Sequence, residues 1–297
     1  MRRLLIVGCG DVALRAAPLL ARRYRLYGLV HRPEQRALLR ARGITPIAGD
    51  LDRCAHLRRL RGVAHEILHL APPPPKGDHD TRTAHLLAAL GGGGSLPRRL
   101  LYISTSGVYG DCRGALVPET RRVRPETARA RRRVDAERRL RAFQRRTGVS
   151  VSILRVPGIY AAERLPLARI EAGTPALVAE EDSFSNHVHA DDLAQICATA
   201  LRRGRPGRVY HAVDESALRM GDYFDAVADA FGLRRPPRVT WAVAQARLAP
   251  ELLSFMRESR RLSNTRLTKE LRVRLRYPTV RSALAEFARK RRDAPVA

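Results

Sequence analysis

Short apolar segments alternate with amphipathic segments along the first half of the chain. The apolar segments predict six strands: LLIV near the N-terminus and residues 25–31, 44–50, 65–70, 99–105 and 149–156. The segments between them predict helices that follow the first glycine turn, start at Pro33, lie near 52–61, span 81–90 and run from Pro125 to Arg146. Strict alternation of strand and helix is typical of a parallel α/β sheet.

The pattern becomes less regular after Pro157. Residues 207–213 predict one further strand, and helices are predicted to start near Ala190 and to span 220–232. The rest of the chain contains Pro236, Pro237 and Tyr277-Pro278, which favour short helices joined by loops. The second half is therefore expected to complete the sheet and to add a smaller, mostly helical part.

One apolar segment contains His65-Glu66-x-x-His69, a pattern typical of zinc proteases. The pattern binds zinc only on a helix, where residues four apart share one face. Four prolines, residues 72–75, follow at once and prevent a helix from continuing. On a strand the two histidines would lie roughly 13 Å apart, too far to share one metal ion. We therefore predict a buried strand here and no metal site.

The turn after the first strand matches the pattern G-x-G-x-x-A, from Gly8 to Ala13. The first glycine permits a tight turn, Gly10 lets a pyrophosphate approach the backbone, and alanine allows close packing of helix on strand. The free N–H groups of the next helix would face the phosphates. The turn predicts dinucleotide binding, with Gly8, Gly10, Asp11 and Val12 as contacts.

The end of the second strand bears on the choice of cofactor. A carboxylate there usually holds the ribose 2′-hydroxyl of NAD, whereas arginine favours the 2′-phosphate of NADP. The sequence has His31-Arg32, with Arg36 one turn later and Glu34 as the nearby acid. Arg32 therefore predicts NADP as the cofactor, with NAD as the alternative.

The chain carries a net charge of +27, with 56 basic and 29 acidic residues. Only three basic residues are lysine, and the arginines are spread along the whole chain. The densest stretch, 121–146, has one aromatic residue, whereas binders of single-stranded nucleic acid interleave aromatic and basic residues. We expect no specific nucleic-acid partner but a basic surface that attracts anions non-specifically.

Cysteine usage and hydropathy indicate the cellular compartment. Cys9, Cys54, Cys112 and Cys197 are scattered and form no CxxC pair, which fits a reduced, cytoplasmic protein. The sequence has no run of about 18 uncharged apolar residues, so no membrane span is expected. We expect a monomer or a homodimer that acts on a small molecule.

Several motifs, taken together and in order, resemble the extended short-chain dehydrogenase/reductase family, in its NAD-dependent epimerase/dehydratase branch. They are GCGDVA, GDL (49–51), HLAPP (69–73), ISTSGVYGD (103–111), LRVPGIY (154–160), NHVHADDLA (186–194) and LRYP (275–278). The resemblance spans nearly the whole chain, and STSGVYG and HVHADDLA are its most specific parts. It implies a Rossmann-type, doubly wound parallel sheet with a smaller, mostly helical C-terminal part.

The resemblance also implies that two parts of the chain have different functions. Residues 1–160, completed by about 186–213, would form the NAD(P)-binding Rossmann domain. Residues 161–185 and 214–297 would form the substrate-binding part. Asp50 and Leu51 would flank the adenine, and Pro157 would lie close to the nicotinamide ring. The residues implied to line the cofactor between these positions are Leu70, Ala71 and Pro72.

Catalysis in the family needs a serine or threonine hydroxyl beside a tyrosine and a lysine four residues apart. Thr105 lies four residues before Tyr109, where the family's hydroxyl usually stands, and Ser106 is next to it. The resemblance therefore implies Thr105, Ser106 and Tyr109 as candidate catalytic residues.

The tyrosine–lysine pair itself is missing. In the family the pair precedes a short segment that corresponds to Asp135-Ala136-Glu137 in this sequence. The tyrosine and the lysine would lie eight and four residues before Glu137, where this sequence has Arg129 and Arg133. A shift by two gives Thr127 and Arg131 instead. The chain is thus identified as an atypical member of the family.

Three functions remain open on this interpretation, one of them a nucleic-acid-associated role. We expect an NAD(P)-dependent oxidoreductase or epimerase that acts on a small carbonyl or sugar-nucleotide substrate, with a substitute proton donor such as Tyr109, Tyr160 or His187. Alternatively, the protein is a catalytically silent NADP(H) sensor or regulatory protein.

Overall fold

The computed structural model describes residues 1–293, in which strands and helices alternate up to β7. The strands in chain order are β1 (Arg2–Val7), β2 (Tyr24–Val30), β3 (Ile44–Ala48), β4 (Glu66–His69), β5 (Arg99–Thr105), β6 (Leu116–Val117), β7 (Ser150–Val156), β8 (Gly158–Tyr160), β9 (Ala176–Leu177), β10 (Phe184–Ser185), β11 (His187–His189), β12 (Val209–His211), β13 (Leu218–Arg219), β14 (Arg238–Val239) and β15 (Arg261–Leu262).

The helices lie mainly between the sheet strands and in the C-terminal third. They are α1 (Asp11–Ala21), α2 (Gln35–Ala41), α3 (Thr81–Gly91), α4 (Ala128–Thr147), α5 (Leu167–Glu171), α6 (Ala190–Arg203), α7 (Met220–Phe231), α8 (Trp241–Arg247), α9 (Pro250–Met256), α10 (Thr265–Lys269) and α11 (Val280–Arg292). Short 3-10 helices span Cys54–Leu60, Ser106–Tyr109 and Ala162–Arg164. Within the described residues no helix is long and apolar enough to span a membrane.

Seven strands form one parallel sheet in the order β12-β7-β5-β4-β1-β2-β3. The chain starts in the middle at β1, builds outward to β3, then crosses back to β4 and builds outward on the other side. In such a doubly wound sheet a crevice forms where the winding reverses, at the carboxyl ends of the strands. Here that place lies between β1 and β4.

Helices cover both faces of the sheet and bury it. In β1, Leu4 and Ile6 face the layer of α1 and α6, while Leu5 and Val7 face the layer of α3 and α4. All four side chains are fully buried. A strand buried on both faces needs a continuous apolar run, which is why this segment is LLIV rather than an alternating one.

The C-terminal part has its own apolar cluster. It joins α5, α7 and α11 and contains Tyr160, Tyr223, Phe224, Tyr277 and Phe287. The short strand pairs β8–β11, β10–β13 and β9–β14 lie outside the seven-stranded sheet, and β15 of the C-terminal part pairs with β6.

The predicted α/β fold is confirmed, with shifts at element ends. The segment near 52–61 is a 3-10 helix, and α4 begins at Ala128 rather than at Pro125 because the Thr127 side chain caps it, accepting a hydrogen bond from Ala130 N at 3.2 Å. The predicted strand 207–213 is limited to Val209–His211. Residues 294–297 of the predicted substrate-binding part lie outside the described residues.

The predicted strand at the zinc-like pattern is also confirmed, as β4. His65 Nδ1 accepts a hydrogen bond from Arg3 N at 3.0 Å, and His69 Nε2 lies 2.9 Å from Thr83 Oγ1. Burial lowers the pKa of His69 to about 3. The two rings therefore have separate partners, as expected of side chains on a sheet strand. Among the side chains that the structure describes, no cluster of three or more His, Cys, Asp or Glu could hold a metal ion.

Candidate functional site

A cleft of about 430 Å³ opens where the winding of the sheet reverses. We call it the switch-point cleft. Its walls come from the turn after β1, the carboxyl ends of β2, β3 and β4, helix α3 and residues 159–164. The lining residues are Gly8, Cys9, Gly10, Asp11, Val12, Ala13, Leu29, His31, Gln35, Gly49, Asp50, Leu51, Asp52, Leu70, Ala71, Pro72, Arg82, Ile159 and Arg164.

The two glycines of the first turn have different roles. Gly8 has a φ of +95°, and a Cβ there would lie 2.4 Å from Ala71 N, so the turn and β4 can approach only without a side chain. Gly10 has an ordinary φ of −85° and caps the N-terminus of α1. A Cβ at Gly10 would meet no atom within 4 Å, so this glycine leaves open space beside the helix N-terminus. Such a space suits a pyrophosphate.

The acidic Asp11 in the first turn of α1 would by itself repel an anion. Its carboxylate is paired, because Arg15 Nε donates to Asp11 Oδ1 at 2.8 Å and Arg164 Nη2 lies 3.5 Å from Asp11 Oδ2. Arg15 is shared with two further carboxylates, Asp191 and Glu163. Arg164 also lines the cleft. The free N–H groups of α1, the Arg164 guanidinium and the paired Asp11 carboxylate thus lie together near Gly10.

Most of the predicted cofactor contacts meet in this cleft. They are Gly8, Gly10, Asp11, Val12, Asp50, Leu51, Leu70, Ala71 and Pro72. Helix α3 holds the loop after β3 in place, because its Arg82 donates two hydrogen bonds, of 2.8 and 2.6 Å, to Asp52. His85 Nδ1 lies 2.8 Å from Leu51 O.

Arg32 does not line the switch-point cleft. The side chain is exposed, and the cleft is lined at this corner by His31 and Gln35 instead. The turn after β2 directs His31 toward the cleft, a local geometry that strand periodicity does not reveal.

A second cavity, of about 280 Å³, adjoins the cleft. We call it the hydroxyl pocket, because Thr105 and Ser106 line it. The linings of the two cavities meet along the chain, with Pro157 and Gly158 in the pocket and Ile159 in the cleft. The full lining is Thr105, Ser106, Gly107, Arg129, Pro157, Gly158, Phe184, Ser185, Asn186, His187, Met220, Glu258 and Arg260.

Thr105 ends β5 and caps the following 3-10 helix, since its Oγ1 accepts a hydrogen bond from Gly107 N at 3.3 Å. The end of a central parallel strand is a rigid platform, so this hydroxyl is held in place at the pocket wall. Of the predicted catalytic residues, Thr105 and Ser106 therefore meet in one pocket, together with the predicted cofactor contact Pro157.

Tyr109, predicted with them, is turned into the protein. It is 1% exposed, and its hydroxyl lies 2.6 Å from His211 Nε2 and accepts from Arg155 Nη1 at 2.7 Å. Burial raises the pKa of Tyr109 to about 12. A buried hydroxyl with these partners anchors the turn after β5. Unlike Thr105 and Ser106, it does not line the hydroxyl pocket.

The other two suggested proton donors differ from each other. Tyr160 is 2% exposed within the C-terminal apolar cluster, and burial raises the pKa of its hydroxyl. His187 lines the hydroxyl pocket and stacks on Tyr223 at 4.3 Å. Burial lowers the pKa of His187 to about 4, so the ring is neutral near pH 7.

Arg129 and Arg133, the two arginines eight and four residues before Glu137, have different surroundings. Arg129, in the first turn of α4, lines the hydroxyl pocket. Arg133, one turn later, donates to Tyr102 Oη at 2.9 Å and to Ile103 O at 2.8 Å. The chain contains no Tyr-x-x-x-Lys sequence, and the helix that would carry one presents arginine to the pocket.

Sequence reasoning missed an ion pair in this pocket. Glu258 Oε2 accepts from Arg260 Nη2 at 2.7 Å, and Arg260 Nη1 donates to Gly110 O at 2.7 Å. The Glu258 side chain is 8% exposed, and its other oxygen, Oε1, is buried with no hydrogen-bond partner among the described residues. A Cβ on Gly107 would lie 3.8 Å from Glu258 Oε2, so the carboxylate lies next to the Thr105 turn.

No local signal could have identified Glu258. It is one of 29 acidic residues, it lies in a loop, and it is about 150 positions from Thr105 in sequence. A buried carboxylate oxygen without a partner carries a cost in free energy that a bound hydrogen-bond donor would remove.

The arrangement resembles solved structures over nearly its full length. A functionally unknown conserved protein from Silicibacter pomeroyi is 29% identical, with a TM-score of 0.82 over 98% of this chain and 99% of that chain. A UDP-glucose 4-epimerase from Thermotoga maritima with UDP-glucose is 16% identical, with a TM-score of 0.78 over 98% and 99%. A dTDP-glucose 4,6-dehydratase from Streptomyces venezuelae with NAD and TYD bound is 22% identical, with a TM-score of 0.78 over 98% and 97%. At such identities the last two show a shared fold.

No curated protein matches the sequence. The sequence model of the NAD dependent epimerase/dehydratase family matches residues 14–213, about two thirds of the chain. The matched range contains the motifs from ISTSGVYGD to NHVHADDLA and strands β2 to β5, β7 and β12 of the main sheet. The chain therefore belongs to the NAD-dependent epimerase/dehydratase family.

Proposed function

We propose that the protein binds a nicotinamide dinucleotide in the switch-point cleft and is an NAD(P)-dependent oxidoreductase or epimerase. Its substrate, a small carbonyl compound or a sugar nucleotide, would bind in the hydroxyl pocket. The observation that carries the proposal is that consecutive residues line the two cavities, Pro157 and Gly158 in the hydroxyl pocket and Ile159 in the cleft. A dinucleotide in the cleft would thereby reach the wall that carries the Thr105 hydroxyl.

The residues of the cleft fit such a cofactor. The open space at Gly10 and the N-terminus of α1 would receive the pyrophosphate, and Asp50 and Leu51 would lie beside the adenine. Leu70, Ala71 and Pro72 would line the remainder, with Pro157 near the nicotinamide. When bound, the cofactor supplies hydride exchange at its nicotinamide ring.

Both predicted parts of the chain contribute to the hydroxyl pocket. Thr105, Ser106 and Arg129 come from residues 1–160, whereas Phe184, Met220, Glu258 and Arg260 come from 161–185 and 214–297. This distribution supports the division into a cofactor-binding domain and a substrate-binding part. A pocket at such a boundary is a common place for a ligand.

Two side chains are suited to substrate chemistry in this pocket. The Thr105 hydroxyl would donate to a substrate oxygen. Glu258 Oε1 would accept a proton or hydrogen bond from the substrate, in place of the missing tyrosine, because it is a buried carboxylate oxygen without a protein partner among the described residues. The Arg260 guanidinium keeps that carboxylate oriented. The guanidinium of Arg129 would hold an anionic substrate group through its fork of donors.

A spectrophotometric assay tests the proposed activity. NADPH oxidation and NADP⁺ reduction are followed across a panel of carbonyl compounds and nucleotide sugars, and epimers are resolved by chromatography. For a substrate that turns over, Glu258→Gln and Thr105→Ala should each lower kcat by roughly a hundredfold, the size typical of general acid–base groups. Thr105→Ser should restore most of the activity, and the exposed Glu180→Gln should leave it unchanged. Full activity in both Glu258→Gln and Thr105→Ala would place the active site elsewhere.

We propose further that the cofactor is NADP(H) rather than NAD(H). His31 and Arg32 follow β2, and neither is a carboxylate that could hold a 2′-hydroxyl. Calorimetry with NADPH and NADH at matched salt should show tighter NADPH binding. Arg32→Glu should reduce the preference, whereas Arg40→Glu at the far end of α2 should not. Equal affinities that Arg32→Glu does not alter would contradict the NADP assignment.

A silent NADP(H) sensor is the second candidate, and the absence of a Tyr-x-x-x-Lys sequence favours it. It would bind NADPH with the same residues and turn over no substrate. Tight NADPH binding together with no turnover across the panel would support the sensor and exclude the enzyme on those substrates.

A further inference from the structure

A third cavity, of about 480 Å³, lies at the outer edge of the sheet. The loop at 119–123, helix α4, the edge strand β12 and helix α10 enclose it, and we call it the arginine cleft. It shares no lining residue with the switch-point cleft or the hydroxyl pocket. The strand order places it at β12, four strands away from β1. It is therefore a separate site.

Half of the lining is arginine. Seven of the fourteen lining residues are arginines, against 53 of 297 in the whole chain, so the enrichment exceeds what the composition alone supplies. The lining contains two carboxylates, Glu119 and Glu137. Arg155 binds Glu137 through two hydrogen bonds of 3.0 and 2.6 Å, and Arg266 Nε lies 3.7 Å from Glu119 Oε2. The acids of the cleft are thus already neutralised.

The rim carries cations without counter-charges. Arg121, Arg122 and Arg138 are exposed, and within the part of the chain that the structure describes none of their side chains has an ion-pair partner. Other surface arginines do have one, as Arg235 does with Asp229 at 2.7 Å. Three unpaired guanidinium groups around one concavity repel each other and focus positive potential into it.

The chemistry of the cleft selects a class of ligand. Guanidinium groups bind phosphate oxygens through paired, charge-assisted hydrogen bonds. Several such groups around one cavity suit a ligand with several adjacent phosphates. No lining residue is aromatic, so the cleft has no platform on which the bases of a nucleic-acid strand would stack.

We propose that the arginine cleft binds a small oligophosphate, either free or as the phosphate chain of a nucleotide. The rim arginines Arg121, Arg122 and Arg138 supply the donors, and the buried Arg155–Glu137 pair forms a fixed floor beneath them. The ligand neutralises the rim and is held by electrostatics and hydrogen bonds, so its affinity falls as salt is raised.

Calorimetry on the full chain tests the proposal, with inorganic tripolyphosphate as the probe and with ATP and a single-stranded oligothymidylate as further arms. The wild type should bind one tripolyphosphate in the arginine cleft. The triple variant Arg121→Ala/Arg122→Ala/Arg138→Ala should bind it roughly tenfold or more weakly, from three lost ionic contacts. A matched control, Arg22→Ala/Arg40→Ala/Arg202→Ala, removes the same charge from exposed positions elsewhere and should bind nearly as the wild type does.

A third variant separates the two phosphate-binding cavities. Gly10→Asp adds a carboxylate to open space in the switch-point cleft and should leave tripolyphosphate binding to the arginine cleft intact. Similar affinity for ATP and tripolyphosphate would support recognition of the phosphate chain alone, and tighter ATP binding would support a nucleotide. The proposal is overturned if the wild type does not bind tripolyphosphate, or if both triple variants bind it equally weakly. It is also overturned if Gly10→Asp abolishes tripolyphosphate binding. Tighter binding of oligothymidylate, lost in the rim variant, would identify a nucleic-acid surface instead.

Discussion

The two glycines of the first turn provide the sharpest test of the cofactor cleft. Gly8→Ala and Gly10→Ala add the same methyl group two residues apart, and the structure predicts opposite effects. At Gly8 the backbone has a φ of +95°, and the new carbon would lie 2.4 Å from Ala71 N and 2.7 Å from Ala71 Cα. At Gly10 it would meet no protein atom within 4 Å.

The magnitudes follow from these distances. A left-handed backbone costs an L-residue about 1–2 kcal/mol, and forcing a methyl against a packed backbone adds roughly 1–3 kcal/mol. Gly8→Ala should therefore lower the free energy of unfolding by roughly 2–5 kcal/mol. Gly10→Ala should change it by less than about 1 kcal/mol, because neither strain nor overlap arises. Its methyl would instead occupy the space for the pyrophosphate and weaken NADPH binding by roughly tenfold or more, about 1.4 kcal/mol.

Urea denaturation and calorimetry with NADPH measure the two effects. Gly148→Ala is the matched control for strain, since Gly148 has a φ of +73° and a Cβ there would meet no atom within 4 Å. Gly148→Ala should pay only the cost of the left-handed backbone, so its free energy of unfolding should fall less than that of Gly8→Ala. Gly8→Ala as stable as Gly148→Ala would refute the close approach to β4. Gly10→Ala with wild-type NADPH affinity would refute the placement of the pyrophosphate.

Three further predictions concern buried charges and the zinc-like pattern. Burial raises the pKa of the Asp214 carboxyl from 3.8 to about 8 in the folded protein. As the pH rises, this carboxyl ionises in the unfolded chain before it does so in the folded protein, so the folded state loses stability between pH 3.8 and about pH 8. The Asp214→Asn variant should therefore have a free energy of unfolding roughly 2–4 kcal/mol above that of the wild type at pH 8, and an equal one near pH 4. Urea denaturation that shows no such pH-dependent gain in stability of the variant would contradict this. Glu137→Gln leaves Arg155 buried without its counter-charge and should cost roughly 3–5 kcal/mol, which a wild-type denaturation midpoint would disprove. Elemental analysis of untagged protein should find no stoichiometric zinc, and one zinc per chain that disappears in His65→Ala would overturn the strand interpretation.

The sequence alone determined the order of the elements and the first turn. Burial on both faces of a parallel sheet requires uninterrupted apolar segments, and the LLIV run of β1 and the Arg99–Thr105 strand were therefore visible as patterns. The proline run after Leu70 excluded a helix by local sterics. Gly8 and Gly10 could be assigned because the requirements of a tight turn act between residues that are neighbours in sequence.

Only the tertiary structure decided which side chains meet at the site. Tyr109 turns inward because His211 and Arg155, about 100 and 46 positions away, bind its hydroxyl. Glu258 reaches the Thr105 turn because Arg260 donates to the carbonyl oxygen of Gly110. Periodicity and turn chemistry describe interactions across a few residues, whereas these contacts join segments that are close only after the sheet and the C-terminal part have packed together.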